Sequence, residues 1–308
     1  MQFDQTNIVV RERGMLEILD LSLHALRHHF RPLVIMWLIG VVPMMILNHL
    51  IVGSLLDTVE FDGDLYLGEY GAWIYYYNYL MTLLIFVEGQ LATSFMTKYM
   101  GEAVFQQSPK LRTQIKSVLK SAWPIIWTQC VLRCVLIVWA LVYFYGVSDT
   151  TGGSGLSLFL ILVVHCLIRA TRPYITEIIL LEKNPLRSDN PNEITAGRRS
   201  RSLHTAGGTG AGIAFGRTVV GFLFGMMLTY AVYGGFIFLS GVLWNDWEQG
   251  SILIQIGFPV AMWIVVGYLA VARFLCYLDT RIRFEGWEVE LRLRAEAGRI
   301  RGKVAKAN

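Results

Sequence analysis

Six long apolar stretches separated by short polar ones organise the chain. They run from Leu33 to Leu55, Ala72 to Met96, Ala122 to Tyr145, Gly155 to Leu181, Ala214 to Leu243 and Ile252 to Tyr277. About 20 apolar residues suffice for a helix to cross roughly 30 Å of hydrocarbon. Backbone in hydrocarbon must satisfy its own hydrogen bonds, so each stretch predicts a helix. The pattern predicts an all-α polytopic membrane protein with about six transmembrane helices. A single membrane domain covers residues 1–278 and a charged tail covers 279–308.

The polar segments carry opposite charge on alternate sides. The loop from Asp57 to Gly71 holds Asp57, Glu60, Asp62, Asp64 and Glu69. The loop from Gly146 to Ser154 holds Asp149, and the turn near Asn245 holds Asp246 and Glu248. None of the three has a Lys or Arg. The basic residues fall on the other side: Arg11, Arg13, Arg27, Arg31, Lys98, Lys110, Arg112, Lys116, Lys120, Lys183, Arg187, Arg198, Arg199, Arg201, Arg217 and the tail. The positive-inside rule then predicts a multi-pass protein of the cell (inner) membrane with both termini cytoplasmic. Trp73, Tyr75, Tyr76, Tyr77, Tyr79, Tyr143, Phe144, Tyr145, Trp244 and Trp247 gather at the outer ends of spans, where amphipathic rings favour the interface. The chain opens on polar residues, Met1 to Asn7, and no cleavable leader is expected.

Two polar segments have a helical apolar stripe of their own. Met15, Leu19, Leu23, Leu26 and Phe30 recur at helical spacing, with Glu17, Asp20, His24, Arg27 and Arg31 elsewhere on the wheel. Leu111, Ile115, Val118, Leu119 and Ala122 oppose Arg112, Lys116 and Lys120. Both predict amphipathic interfacial helices. Each reaches a proline, Pro32 or Pro124, that fits a kink or the first turn of the next helix. This layout predicts three units, each an interfacial segment and a hairpin of two spans, the third beginning near Glu193.

Composition agrees with a membrane solvent. Only 16% of the 308 residues are charged, and the mean hydropathy is +0.47. A soluble domain carries about a quarter charged residues. The four cysteines, Cys130, Cys134, Cys166 and Cys276, all lie in apolar stretches and read as reduced apolar side chains. Cys130 and Cys134 are four apart, but no CxxC motif supports a metal or redox site.

Candidate chemistry lies where charge is costly. Glu88, Arg133, His165, Arg169, Arg172 and Glu177 fall within spans, and intramembrane ionisable groups are functional candidates. His165, Arg169 and Arg172 share a helix face. Together the six predict a polar pocket for an anionic headgroup or solute, or an internal ion-pair lock between hairpins with Arg172 and Glu177 reaching inward. His24, His28 and His29 lack an acidic partner and read as surface groups of an interfacial helix. The glycines Gly207, Gly208, Gly210 and Gly212 lack the Gly-Lys-Ser/Thr ending of a phosphate loop, so nucleotide binding is rejected. No cofactor, metal or nucleic-acid partner is implied. The loop from Lys183 to His204 carries Arg198, Arg199 and Arg201, which set topology or meet anionic lipid heads. In the tail, Asp279, Arg281, Arg283, Glu285, Glu288, Glu290, Arg292 and Arg294 alternate in sign and form i, i+4 pairs on a helix. Trp287, Val289, Leu291 and Leu293 alternate with period two, which leaves a short strand open. Either form is expected to dock on the cytoplasmic face.

Two stretches resemble a known family. Leu180 to Leu186 followed by Ala196 to Leu203, with Arg199-Ser200, is similar to a motif of bacterial proteins with the membrane domain found beside some glycerophosphodiester phosphodiesterases. The ending Tyr277, Asp279, Arg281, Arg283, Glu285 and Gly286 resembles their Tyr-x-Asp-x-Arg-x-Arg-x-Glu-Gly tail. This sequence departs in its longer, proline-containing loop between Glu182 and Arg199. The resemblance implies a six-span bundle with interfacial helices and carries over no catalytic residue. The spans use up the chain and leave no room for a catalytic barrel of about 250 residues.

The first expectation is therefore a non-enzymatic scaffold or accessory subunit working with membrane lipids or another envelope protein. The second is a transporter or lipid-handling protein that uses Glu88, Arg133, Arg169 and Arg172. A third, an enzyme acting on lipids, needs a polar pair at the membrane surface.

Overall fold

The computed structural model describes residues 14–53, 67–104, 109–147, 154–188, 190, 193–206, 211–245, 247 and 252–285. The acidic residues Asp57 to Asp64, Asp149, the glycines 207–210 and the tail from Gly286 lie outside the described residues. So do the side chains of Trp73, Arg217, Arg283 and Glu285.

All described regular structure is helical, and the chain is an all-α polytopic membrane protein. The order is α1 (Met15–His28), α2 (Phe30–Val52), α3 (Leu67–Ala92), α4 (Ser94–Ala103), α5 (Leu111–Lys120), α6 (Ala122–Leu132), α7 (Val135–Leu141, then a π-helical turn Val142–Val147), α8 (Ser154–Thr171), α9 (Ile175–Glu182), α10 (Ala196–Ala206), α11 (Ala211–Trp244) and α12 (Phe258–Glu285, after a π-helical turn Leu253–Gly257). Four helices are long and apolar enough to span alone, six spans in all if each bent pair, α6–α7 and α8–α9, crosses once. A helix of 10 to 14 residues (α1, α5 or α10) precedes each pair of spans. That is the threefold layout expected from the sequence.

The third and fourth spans are broken, where an unbroken helix was expected. Span three bends by 49° between Leu132 and Val135, and span four by 50° between Thr171 and Ile175. At the first break Cys134 adopts a left-handed backbone, φ 59°. At the second, Pro173 disfavours helix at Arg172. The last span runs further than expected, because α12 continues through Asp279 and Arg281 to Glu285 with no break.

Two spans with similar all-round apolarity meet different solvents. In the span containing α3, 83% of the apolar window is buried, and Leu80, Met81, Leu83, Leu84, Ile85 and Val87 pack in succession. In α11 only 17% is buried, so its Val220, Leu223, Met227, Phe238 and Leu239 face the lipid. Apolar surface needs no protein partner where the solvent is itself apolar. In α1, Ile18, Ser22 and Ala25 pack on the bundle, Met15, Leu16 and Leu23 stay exposed, and the Tyr268 hydroxyl donates to the Leu19 carbonyl at 3.1 Å. His29, at the joint of α1 and α2, meets the Tyr99 hydroxyl at 3.3 Å. Burial, then the neighbouring His28, pushes its pKa below the ordinary imidazole value, which keeps the ring neutral. Tyr75, Tyr143, Phe144, Trp244 and Trp247 are exposed at the far end of the bundle, as an aromatic belt requires.

Close backbone approach fixes α2 on α3. A Cβ added at Gly40 would sit 1.8 Å from the Ala92 carbonyl oxygen, so no side chain fits. At Gly101 the added atom meets the flexible end of Leu181 at 2.2 Å. Gly40→Ala is expected to destabilise the protein by about 3 kcal/mol and Gly101→Ala by less, because side chains yield and backbone does not. Unfolding titrations in mixed micelles measure both, and equal losses would contradict this packing.

Candidate functional site

The two helix breaks meet. The Arg133 guanidinium, at the first break, donates to the Arg172 carbonyl oxygen at the second, at 2.5 Å. It also donates to Gln90 Oε1 on α3. Thr176 donates to the same Gln90 oxygen at 3.4 Å, and Gln129 Nε2 donates to Thr176 at 2.8 Å. Arg133 is buried, as are Gln90, Gln129 and Thr176. A bent helix in an apolar medium frees carbonyl groups that must be satisfied internally, and Arg133 does this for the fourth span.

More positive charge lies around this junction. Arg169 donates to the Phe86 carbonyl oxygen at 2.9 Å and stacks its guanidinium 4.7 Å above the Phe86 ring. His165 packs edge-on against the same ring at 5.5 Å and is buried. Arg273 on α12 pairs with Glu177 at 2.6 Å, with Glu177 fully buried. Arg133 thus feels the charges of Arg169, Arg273 and Arg172, offset by Glu177. Arg172 itself is exposed. It stands at the mouth of a cavity of about 570 Å³ lined by Thr128, Leu132, Arg133, Leu167, Ile168, Ala170, Thr171, Ile175 and Phe215. The exposed positions Leu132, Leu167 and Thr171 lie along the same opening. Among the described residues the arrangement is one of four arginines against one carboxylate, with an apolar chamber beside Arg133 and Arg172.

The sequence-predicted set therefore divides. Arg133, His165, Arg169, Arg172 and Glu177 come together. Glu88 does not join them: its carboxylate accepts from Asn48 Nδ2 at 3.0 Å and from Trp139 Nε1 at 2.5 Å. Arg273 supplies the ion pair expected of the other arginines. It escaped sequence reading because it lies close to the end of the last span. Cys130 is buried before the helix break and Cys134 is half-buried within it, both free.

A second cluster caps the basic end of the bundle. Glu182 accepts from Arg199 at 2.7 and 3.3 Å and from the Tyr277 hydroxyl at 2.6 Å, and Arg281 approaches at 3.6 Å. Tyr174 packs beside Tyr277, ring centroids 5.8 Å apart, and Thr280 donates to the Tyr174 hydroxyl at 3.4 Å. Nearby, Lys98 pairs with Glu102 at 3.2 Å and Gln114 donates to Glu102. Sequence reading picked out Tyr277, Asp279 and Arg281 as a motif and missed Glu182 as its anchor. Of that motif, Tyr277 and Arg281 meet Glu182, and Asp279 is half-buried on the same helix.

No family model, curated protein or solved structure matches the chain. The functional reading rests on geometry.

The Glu182 cluster is expected to carry stability. Glu182→Gln should cost about 3 kcal/mol, since it leaves Arg199 and Arg281 without their carboxylate. Tyr277→Phe should cost about 1.5 kcal/mol, the worth of a hydrogen bond to a charged acceptor. Micellar unfolding titrations report both; a larger loss in Tyr277→Phe would remove Glu182 from the centre of the cluster.

Proposed function

We propose that the chain is a non-enzymatic lipid-handling or transport protein that binds the anionic headgroup of an amphiphile at the junction of its two broken spans. The observation that carries this reading is the charge imbalance there. Among the described residues four arginines lie around one carboxylate, and two of them, Arg133 and Arg172, line a cavity that opens past apolar side chains. A purely structural network in an apolar medium tends to balance its charges, because an unpaired buried ion costs several kcal/mol. A phosphate group at the mouth, with its chains along Leu132, Leu167 and Phe215, supplies the missing negative charge and matches the apolar lining. Discontinuous helices are also where transporters place ligand sites.

The charge asymmetry of the sequence supports a cell-membrane orientation with the Glu182 cluster, α1 and α5 on the cytoplasmic side. The two motif stretches that carry the family resemblance meet at Glu182, through Arg199 and Tyr277.

Arg172→Ala tests the reading cleanly. Its side chain is exposed, and the carbonyl that engages Arg133 survives the substitution. Native mass spectrometry of the full chain, with phosphatidylglycerol and phosphatidylcholine added, should show preferential retention of the anionic lipid. Loss of one charge-assisted contact should weaken that retention about tenfold. Retention indifferent to headgroup charge, or to Arg172, would favour the scaffold reading.

A further inference from the structure

Glu88 lies at the midpoint of the Ile74–Ala103 span, about 20 Å from either end at the helical rise. It is fully buried. Both carboxylate oxygens are engaged, and both donors are neutral, the Asn48 amide and the Trp139 indole. Among the described residues no cation stands within ion-pair distance. The elements packed on α3 explain this. Helix α2 turns Asn48 toward Glu88 while its His49 is exposed, and α7 contributes Trp139. The π-helical end of α6 brings Cys130, a titratable neighbour that feels the Glu88 charge. Between Phe258 and Ala272, α12 has no charged residue. Arg133 and Arg169 are turned to Gln90 and to the Phe86 carbonyl.

An ionised carboxylate at this depth has no partner charge to offset its desolvation, whereas the acid form has an acceptor ready. Asn48 Oδ1 is buried beside it with no hydrogen-bond partner. The carboxyl is thus placed to hold a proton, with neutral donors to its ionised form and a neighbouring acceptor for its acid form.

Its position links it to the cavity. Phe86 and Gln90 are four residues apart and hold Arg169 and Arg133 on one face of α3. Glu88 is about 200° around the helix from Phe86, on the opposite face. One rigid helix therefore carries the proton group on one side and both arginine anchors on the other.

We propose that Glu88 is a proton-exchange site at the middle of the membrane whose charge state is linked to anion occupancy of the cavity across α3. Release leaves a carboxylate held by Asn48 and Trp139; uptake gives the neutral acid, with its O–H turned to the rotated Asn48 amide. Proton uptake favours anion binding and, by reciprocity, a bound anion favours the proton. The linkage rests on the anion-binding reading, and the exchange does not.

Infrared titration of the full chain in phosphatidylcholine vesicles tests the exchange. Wild type should show a protonated-carboxyl C=O band that is absent in Glu88→Gln and disappears reversibly as pH rises. Trp139→Phe, which removes a donor to the carboxylate, should move the midpoint to higher pH and serves if Glu88→Gln does not fold. Identical spectra in wild type and Glu88→Gln at every pH overturn the proposal, as does a Glu88 band that never titrates. For the linkage, vesicles containing phosphatidylglycerol should raise the midpoint, and this rise should shrink in Arg172→Ala. A rise unchanged in Arg172→Ala reports surface charge alone and overturns the linkage. Wild-type retention indifferent to headgroup charge in mass spectrometry overturns the anion reading separately, while the phosphatidylcholine titration still decides the exchange.

Discussion

A backbone in hydrocarbon must satisfy every N–H and C=O from within the protein, and the contact of Arg133 with the Arg172 carbonyl is how this chain meets that requirement at its weakest point. Two of its spans are bent by about 50°. Each bend takes carbonyls out of the helical ladder, and no water is at hand to receive them. A guanidinium offers five donors in one plane, enough to bridge a freed carbonyl and a glutamine on a third helix at once. The same choice brings charge into the membrane. From that follow Glu177, the Arg273 pair and the crowding of cations around one cavity.

Helix α12 holds the broken half of span four in place. Arg273, Tyr277 and Arg281 recur every four residues and so share one face. That face meets Glu177 near the middle of the bundle and Glu182 at its basic end. Glu182 in turn takes Arg199 from α10. A helix of only eight residues, Ile175–Glu182, has little stability of its own. Two carboxylates docked on a long neighbour give it a fixed orientation, and the left-handed Lys183 ends it cleanly.

The number of spans, their order and the amphipathic helices before them were legible because each is a property of a local window. Breaks were less so. Pro173 marks the second break by a local rule, since the residue before proline disfavours helix. Cys134 carries no such mark: its left-handed backbone is imposed by tertiary packing, at roughly 1 kcal/mol for a side chain with a Cβ. Which charges meet was harder still. Arg133, Arg169 and Arg172 could be found by depth alone. Their company could not, because Glu88 and Gln90 lie two residues apart on α3 and face opposite sides. Glu182 and Arg273 sit near the ends of apolar runs and Arg199 in a basic loop, where charge draws no notice until a partner from another helix arrives.

The distribution of irregular helix separates the bundle into two parts of different character. Helices α1 to α4 and α12 supply most of two of the three apolar clusters, one of which α7 and α11 also enter, with α3 at the centre and backbone contacts as close as Gly40 on Ala92. Three of the four π-helical segments among the described residues, Trp127–Leu132, Val142–Val147 and Ile178–Glu182, lie in the two broken spans. Such turns have poorer hydrogen-bond geometry and concentrate at functional sites. A ligand can shift an equilibrium only through contacts that differ between states. The contacts able to differ here are those of the short half-helices, held to the rigid part by Gln90, Phe86 and Arg273 rather than by interlocked backbone. An anion bound as proposed would compete for Arg133, which lines the cavity, and so act directly on one of those attachments.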